Sequence, residues 1–180
     1  LHKPDLATKY AQSAIEMAPK SFAPYEALWE VYLSGGQTTK AEQVLEKAAR
    51  SKSEDASFWL SLAELCSRNV LRDSGATLTE TELQRVGRLL EKAATFGERD
   101  PAVLSKVGDL YVLTRQTSKA LPFYRKVVEL RPSYPQIREK LAGCLIEAGQ
   151  IQAAIEVIED LVELNPLSIA AYDQLTQLYL

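Results

Sequence analysis

Residues 101–134 read PAVLSKVGDLYVLTRQTSKALPFYRKVVELRPSY, and residues 135–168 read PQIREKLAGCLIEAGQIQAAIEVIEDLVELNPLS. The two stretches align without a gap, and each begins with a proline, Pro101 or Pro135. A second proline recurs in the same register at Pro132 and Pro166, with small and apolar residues at matching offsets between. This constant spacing indicates an internally repeated architecture, in which each unit buries its apolar face against its neighbours.

The same register extends along the whole chain. Repeats begin at Phe22, Ala56, Pro101, Pro135 and Ile169, and the second of them is longer because of an insertion at about 69–79. We therefore predict one array over 1–180, composed of a partial repeat holding only a second helix (1–21), the repeats 22–55, 56–100 (with the 11-residue insertion), 101–134 and 135–168, and the first helix of a truncated repeat (169–180). A repeat array has no single core, so the length of this chain indicates its number of repeats and not its number of globular domains.

Apolar residues spaced by the helical period predict ten helices. Their expected limits are 4–18, 23–34, 38–51, 56–69, 80–96, 101–114, 118–130, 135–148, 152–164 and 169–180. Asp100 and Ser168 are predicted N-caps, and Thr79 with Glu82 has the spacing of a capping box. Pro122 falls close to the start of its helix, so we expect that helix to begin late or to bend.

The recurring residues resemble the signature of the tetratricopeptide repeat, which runs W-x2-L-G-x2-Y, then A-x3-F, then P. In repeat 101–134 the corresponding residues are Leu104, Val107, Gly108, Tyr111, Ala120, Tyr124 and Pro132. The pattern recurs with substitutions in the neighbouring repeats. The resemblance implies an all-α fold, a right-handed superhelical α-solenoid of helix-turn-helix repeats. It also implies a non-enzymatic protein–protein interaction scaffold, whose first helices line a concave groove for extended peptides or partner helices.

The helical period places the groove stripe on the side of each first helix that faces away from the second helix. The residues predicted to line the groove are Glu26, Glu30, Leu33, Leu60, Glu64, Arg68, Lys106, Asp109, Leu113, Glu139, Lys140 and Ile146. One offset carries an acid in three successive repeats, at Glu30, Glu64 and Asp109. The expected partner is a protein or peptide of basic or mixed charge with apolar anchors. Alternatively, the acids only keep an empty groove soluble.

In one subgroup of the family, Lys and Asn residues of the stripe grip a partner's C-terminal carboxylate. The positions that correspond to this clamp hold Glu26, Glu30 and Ser61 here. An anionic tail would meet like charges at these acids, which opposes its binding. The resemblance therefore implies a different class of partner for this chain.

Charge and composition exclude several other classes. A net charge of -3 with a pI near 5.4 argues against a nucleic-acid partner, because phosphate backbones select basic surfaces. No apolar stretch is long enough for membrane insertion. Cys66 and Cys144 lie on first helices two repeats apart, which we expect to separate them by about 20 Å, too far for a disulfide. Two buried thiols favour a reducing compartment weakly, and the compartment itself stays open.

Groups for catalysis or metal binding are scarce. The single histidine is His2, so we predict no metal site, no cofactor and no nucleophile–base pair. Trp29 and Trp59 lie at positions expected to pack between helices. Two alternatives to a groove-binding scaffold stay open: self-assembly through the array ends, or a regulatory or targeting role beside an enzyme domain of a larger protein. The last helix offers Tyr172, Leu175, Tyr179 and Leu180 for such an end contact.

Overall fold

The described chain consists of α-helices joined by turns and short loops. A computed structural model describes residues 4–71 and 77–180, and these ranges contain ten α-helices. They are α1 (Pro4–Met17), α2 (Ala23–Ser34), α3 (Thr38–Ala49), α4 (Ala56–Leu71), α5 (Glu80–Phe96), α6 (Pro101–Leu113), α7 (Thr117–Leu130), α8 (Pro135–Glu147), α9 (Ile151–Leu164) and α10 (Ile169–Tyr179). The prediction of an all-α fold is confirmed. Its superhelical handedness and its continuity as one array stay predictions.

Helix ends agree with the sequence to within two residues. The predicted limits 23–34 and 80–96 are those observed for α2 and α5. Thr79 accepts the backbone N–H of Glu82, whose carboxylate in turn accepts the N–H of Thr79, so the predicted capping box is present. The Asp100 carboxylate caps α6 and the Ser168 hydroxyl caps α10. Residues 72–76 of the predicted 69–79 insertion lie outside the described residues.

The expected late start of the helix that holds Pro122 is wrong, and the alternative, a bend in this helix, stays a prediction. Helix α7 begins at Thr117, one residue earlier than expected, and runs through Pro122 to Leu130. Pro122 has no backbone N–H, so one bond of the second turn is missing and the helix continues past it. The turns after α2 and α8 each contain a glycine in the left-handed conformation, Gly36 with φ of 71° and Gly149 with φ of 72°. Arg115 adopts the same left-handed conformation, φ 58°, in the turn after α6.

The helices form two compact units, unit 1 (Leu1–Gly97) and unit 2 (Glu98–Leu180), each with its own core. In unit 1 the rings of Phe22 and Tyr25 meet Phe58 edge-on, with centroids 5.9 and 6.0 Å apart. Both tryptophans are buried there, as predicted. The Trp59 Nε1–H donates to the Ser53 carbonyl at 3.0 Å. Cys66 is buried in the same unit and Cys144 in unit 2, and both are free thiols.

The core of unit 2 depends on one close approach between helices. Gly108 on α6 lies under the ring of Tyr124 on α7, where an added Cβ would come within 2.5 Å of Cε1. The missing side chain therefore lets a large ring fill the space between the helices. The Tyr124 hydroxyl donates a hydrogen bond to Oδ1 of Asp109, the next residue on α6, at 2.7 Å.

Helix α10 packs one face and exposes the other. Leu175 and Leu178 pack against a buried cluster of Ala142, Ile158, Leu161 and Ala171. The expectation that Leu175 would be uncovered is therefore wrong, because it lies on the packed face. Exposed apolar side chains at and around this helix are Leu167, Ile169, Tyr172, Tyr179 and Leu180.

Candidate functional site

In unit 1, the predicted groove residues lie on α2 and α4. The Arg68 guanidinium donates to Glu26 Oε1 at 2.9 Å, and the same group lies 5.8 Å from the centroid of the Trp29 ring. The buried Nε1–H of Trp29 has no hydrogen-bond partner. The negative charge of Glu26 on α2 is thus already compensated by Arg68 on α4.

The other predicted residues of unit 1 differ in exposure. Glu30 and Glu64 are exposed and form no ion pair with any described residue. Leu33 is half-buried. Leu60 is only 5% exposed, so it offers little surface to a partner and belongs to the core of unit 1. The exposed part of this surface is therefore the acids Glu30 and Glu64 beside the Arg68–Glu26 pair.

In unit 2, α6 and α8 enclose a cleft of about 420 Å³, which we call the α6/α8 cleft. Its lining residues are Asp109, Val112, Tyr124, Glu139, Lys140, Gly143, Cys144 and Glu147. Three predicted groove residues, Asp109, Glu139 and Lys140, meet here. The volume falls in the range typical of ligand sites, roughly 300–1,000 Å³.

A network of two hydrogen-bonding partners fixes Asp109 at the wall of the α6/α8 cleft. Lys140 Nζ lies 2.7 Å from Asp109 Oδ1 and 2.8 Å from Oδ2. The hydroxyl of Tyr124 donates to the same carboxylate. The reading of Asp109 as an acid available to a partner is therefore incomplete, because its charge is matched within the chain. The unmatched acids of this cleft are Glu139 and Glu147.

Two ionisable side chains of the α6/α8 cleft, Tyr124 and Cys144, have raised pKa values and therefore stay protonated at neutral pH. Burial raises the pKa of Tyr124, and its hydrogen bond to the Asp109 carboxylate raises it further. Burial also raises the pKa of the Cys144 thiol, and the carboxylates of Glu147 and Asp109 add to this effect, while Lys140 opposes it. Cys144 thus stays a thiol at neutral pH, which is the less nucleophilic form. The cleft offers recognition groups and no activated nucleophile.

The remaining predicted residues of unit 2 lie outside the α6/α8 cleft. Lys106 is exposed, and Leu113 is 58% exposed on the last turn of α6. Ile146 packs against the buried cluster beside α10 and so contributes mainly to the core.

Sequence reasoning missed Tyr124, Cys144 and Glu147 as cleft residues. Glu147 sits twelve residues after the repeat start Pro135, at an offset of the stripe, so its signal was present. Tyr124 belongs to a second helix and reaches the cleft past Gly108, which only the packing reveals.

Residues 4–71 and 77–180 contain neither a cluster of side chains suited to a metal ion nor a helix suited to a membrane. In these ranges, no group of three or more His, Cys, Asp or Glu side chains is placed to hold a metal ion. Among the described helices, none combines the length and apolar character needed to cross a bilayer.

Packed helical hairpins in a constant sequence register define an α-helical repeat protein. Residues 111–178 match the family profile of the tetratricopeptide repeat. The described chain has the fold of tetratricopeptide-repeat proteins.

Solved structures with this fold share little sequence with the chain. YrrB, described as a TPR protein with an unusual peptide-binding site, has a TM-score of 0.57 at 16% identity, covering 95% of this chain and 82% of its own. MamA has a TM-score of 0.56 at 17% identity, with 91% and 83% covered. MamA 41-end from Desulfovibrio magneticus RS-1 has a TM-score of 0.53 at 18% identity, with 86% and 81% covered. Among curated proteins, no sequence matches significantly.

Proposed function

We propose that this chain is a non-enzymatic protein-interaction scaffold, which binds an extended segment of mixed charge on the surfaces of its first helices. The tetratricopeptide-repeat fold supports protein–protein interaction in general, and YrrB is a relative in fold described as having a peptide-binding site. The observation that carries the proposal is the α6/α8 cleft, where three predicted groove residues surround one open volume.

The charges of the α6/α8 cleft favour a cationic side chain of the partner. Lys140 and Asp109 satisfy each other, so Glu139 and Glu147 remain to attract a Lys or Arg. Val112 lines the same cleft, and Leu113 is exposed next to it on the last turn of α6, so both offer contact to an apolar anchor. A ligand that combines both features gains long-range attraction and burial of apolar surface.

Charge reversal of the unmatched acids tests this proposal. The probe is a fluorescein-labelled peptide array in which Lys or Arg residues flank a Leu, with Glu-flanked counterparts. We expect Glu139→Lys/Glu147→Lys to weaken binding of the basic peptides by about tenfold or more, because each reversal repels the cation it attracted.

The control variant is Glu156→Lys/Glu163→Lys, which makes the same change of net charge at exposed positions of α9. It should leave affinity nearly unchanged. Equal losses in the two variants would show a nonspecific effect of net charge and reject the cleft as the binding site. Absence of binding to the wild-type chain by any basic peptide would also reject it.

Self-association is the second candidate function, supported by the exposed apolar side chains at α10. Leu167 is 89% exposed and Ile169 is 76% exposed. Contact between copies would remove this apolar surface from water. Sedimentation velocity over a wide range of concentration should then show dimers that Leu167→Glu/Ile169→Glu abolishes. A concentration-independent monomer would exclude this candidate and leave the groove proposal unaffected.

A further inference from the structure

A second cleft, in unit 1, lies apart from every residue of the predicted groove stripe. It has a volume of about 640 Å³ and lies between the segment after α3 and the last turns of α5, with Trp59 of α4 among its walls. We call it the α5 cleft. Its lining residues are Ser51, Lys52, Ser53, Glu54, Trp59, Arg88, Glu91, Lys92, Thr95 and Phe96.

The wall formed by residues 51–54 is held in place from both sides. The Ser51 hydroxyl donates to the Pro19 carbonyl at 3.0 Å, and the Ser53 hydroxyl donates to the Lys20 carbonyl at 3.3 Å. From the other side, the Trp59 indole N–H donates to the Ser53 carbonyl. A wall fixed in this way exists before a ligand arrives, so binding costs less ordering entropy.

Cations outnumber carboxylates by one in the α5 cleft. Lys52, Arg88 and Lys92 line it, against two carboxylates, those of Glu54 and Glu91. Lys52 and Arg88 form no ion pair with any described residue. The α6/α8 cleft has the opposite balance, with three carboxylates around one ammonium.

Lys92 places a positive charge next to the apolar surface of the α5 cleft. Its Nζ lies 3.9 Å from the centroid of the Trp59 ring and 3.5 Å from the Ala49 carbonyl oxygen, to which it donates. An ammonium has three N–H donors, so donors remain for a ligand after this bond. The cation–π contact holds the ammonium over the ring. Phe96, one turn further along α5, is 45% exposed and presents an apolar ring to the same volume.

We propose that the α5 cleft binds an acidic peptide segment that carries an aromatic or large aliphatic residue next to a carboxylate. The carboxylate is bound by Lys92 and Arg88, and the apolar side chain packs on Phe96. Lys52 steers the acidic segment from the facing wall. This site is independent of the groove proposed above and selects a ligand of the opposite charge.

The test uses fluorescein-labelled hexapeptides and the full chain. One peptide is Glu-Glu-Leu-Phe-Glu-Glu, and its counterparts replace the glutamates by lysines or the Leu-Phe pair by serines. We expect only the first to bind tightly, because it alone supplies both carboxylates and an apolar anchor. Its binding should shift the indole N–H signal of Trp59 in a ¹H–¹⁵N spectrum and leave that of Trp29 in place.

Charge-reversed variants locate the site. We expect Arg88→Glu/Lys92→Glu to weaken binding of the acidic peptide by about tenfold or more. The matched control is Lys9→Glu/Lys47→Glu, which changes net charge equally at exposed positions of α1 and α3. Arg88→Glu alone keeps the Lys92–Trp59 contact, so it gives an answer if the double variant does not fold.

Three results would overturn the inference: equal losses in variant and control, absence of binding to the wild-type chain, or equally effective competition by single-stranded DNA, which would show a general polyanion site. The Glu139→Lys/Glu147→Lys variant should bind the acidic peptide as the wild type does. Failure of this proposal is thereby distinguished from failure of the groove proposal.

Discussion

Two glycines that look alike in the sequence have opposite roles in unit 2. Gly108 is buried and faces the Tyr124 ring, whereas Gly143, in the adjacent α8, is exposed and has no atom within 4 Å of an added Cβ. A methyl group at Gly108 would lie 2.5 Å from Cε1 and 2.8 Å from Cζ of a buried ring whose hydroxyl is held by Asp109. The ring cannot yield without losing that bond.

We therefore expect Gly108→Ala to lower the free energy of unfolding by about 1–3 kcal/mol, the usual cost of overpacking. Gly143→Ala is the matched control and should raise it by up to about 1 kcal/mol, because alanine is the better helix former. Urea denaturation followed by circular dichroism measures both. Changes of the same sign in the two variants would show that the Tyr124 contact does not control this position.

The Cys66 thiol makes the stability of unit 1 depend on alkaline pH. Burial raises its pKa from 9.0 to about 11, although the nearby Arg85 guanidinium partly opposes this. The unfolded chain therefore releases this proton at lower pH than the folded chain. The stabilisation is fully present below pH 9.0 and is lost as the pH rises toward about 11.

Across that interval, we expect the wild type to lose about 2–3 kcal/mol more stability than Cys66→Ala, since one pKa unit corresponds to about 1.4 kcal/mol. Other groups that titrate in this range are shared by both proteins and cancel in the difference. Chemical denaturation at several pH values gives the two curves. Parallel curves would mean that the thiol is not protected by burial.

At the scale of the helices, capping explains where α5 begins. Thr79 and Glu82 satisfy each other's backbone N–H groups, whereas the side chain of Gln37, the N-cap residue of α3, forms no capping hydrogen bond. We expect Thr79→Ala to cost about 1 kcal/mol of stability. Gln37→Ala, in the same unit, should change stability by less than about 0.5 kcal/mol. Thermal unfolding of both variants checks this, and equal effects would contradict it.

Helices were predictable from the sequence because their signals are local. Periodic apolar residues, Asp100 before a proline, and Thr79 three residues before Glu82 each act within one or two turns. The candidate sites were less predictable, because they depend on ion pairs between residues that are distant in sequence. Asp109 pairs with Lys140, and Glu26 with Arg68. The helical period, which assigned residues to the groove stripe, predicts the direction of each side chain. It does not predict which acid forms an ion pair with which cation.

Two residues that the helical period assigns to the groove are instead covered by the packing of neighbouring side chains. Leu60 and Ile146 have groove offsets and yet are covered, one in the core of unit 1 and one beside the cluster under α10. The α5 cleft had no sequence signal of its own. It depends on Lys92 lying over Trp59, a contact between side chains on two different helices.

For the molecule as a whole, the consequence of repeats is that stability is distributed. Each unit has a separate core: Phe58, Trp59 and Leu90 are among the fully buried side chains of unit 1, and Ile137 and Ile158 among those of unit 2. In stacked repeats each hairpin contacts only its neighbours, so stability is approximately a sum of local terms. A defect in one core should therefore be felt mainly in its own unit.

Two matched truncations test this expectation in the full chain. Leu90→Ala and Ile158→Ala each remove a fully buried side chain and should each cost about 2–5 kcal/mol locally. By hydrogen exchange with mass spectrometry, Ile158→Ala should speed exchange within 98–180 and leave the described helices of unit 1 unchanged. Leu90→Ala should have the reverse pattern, because its contacts lie in unit 1. Faster exchange throughout the chain in both variants would show that the two cores unfold together, and local additivity would then be the wrong description of this protein.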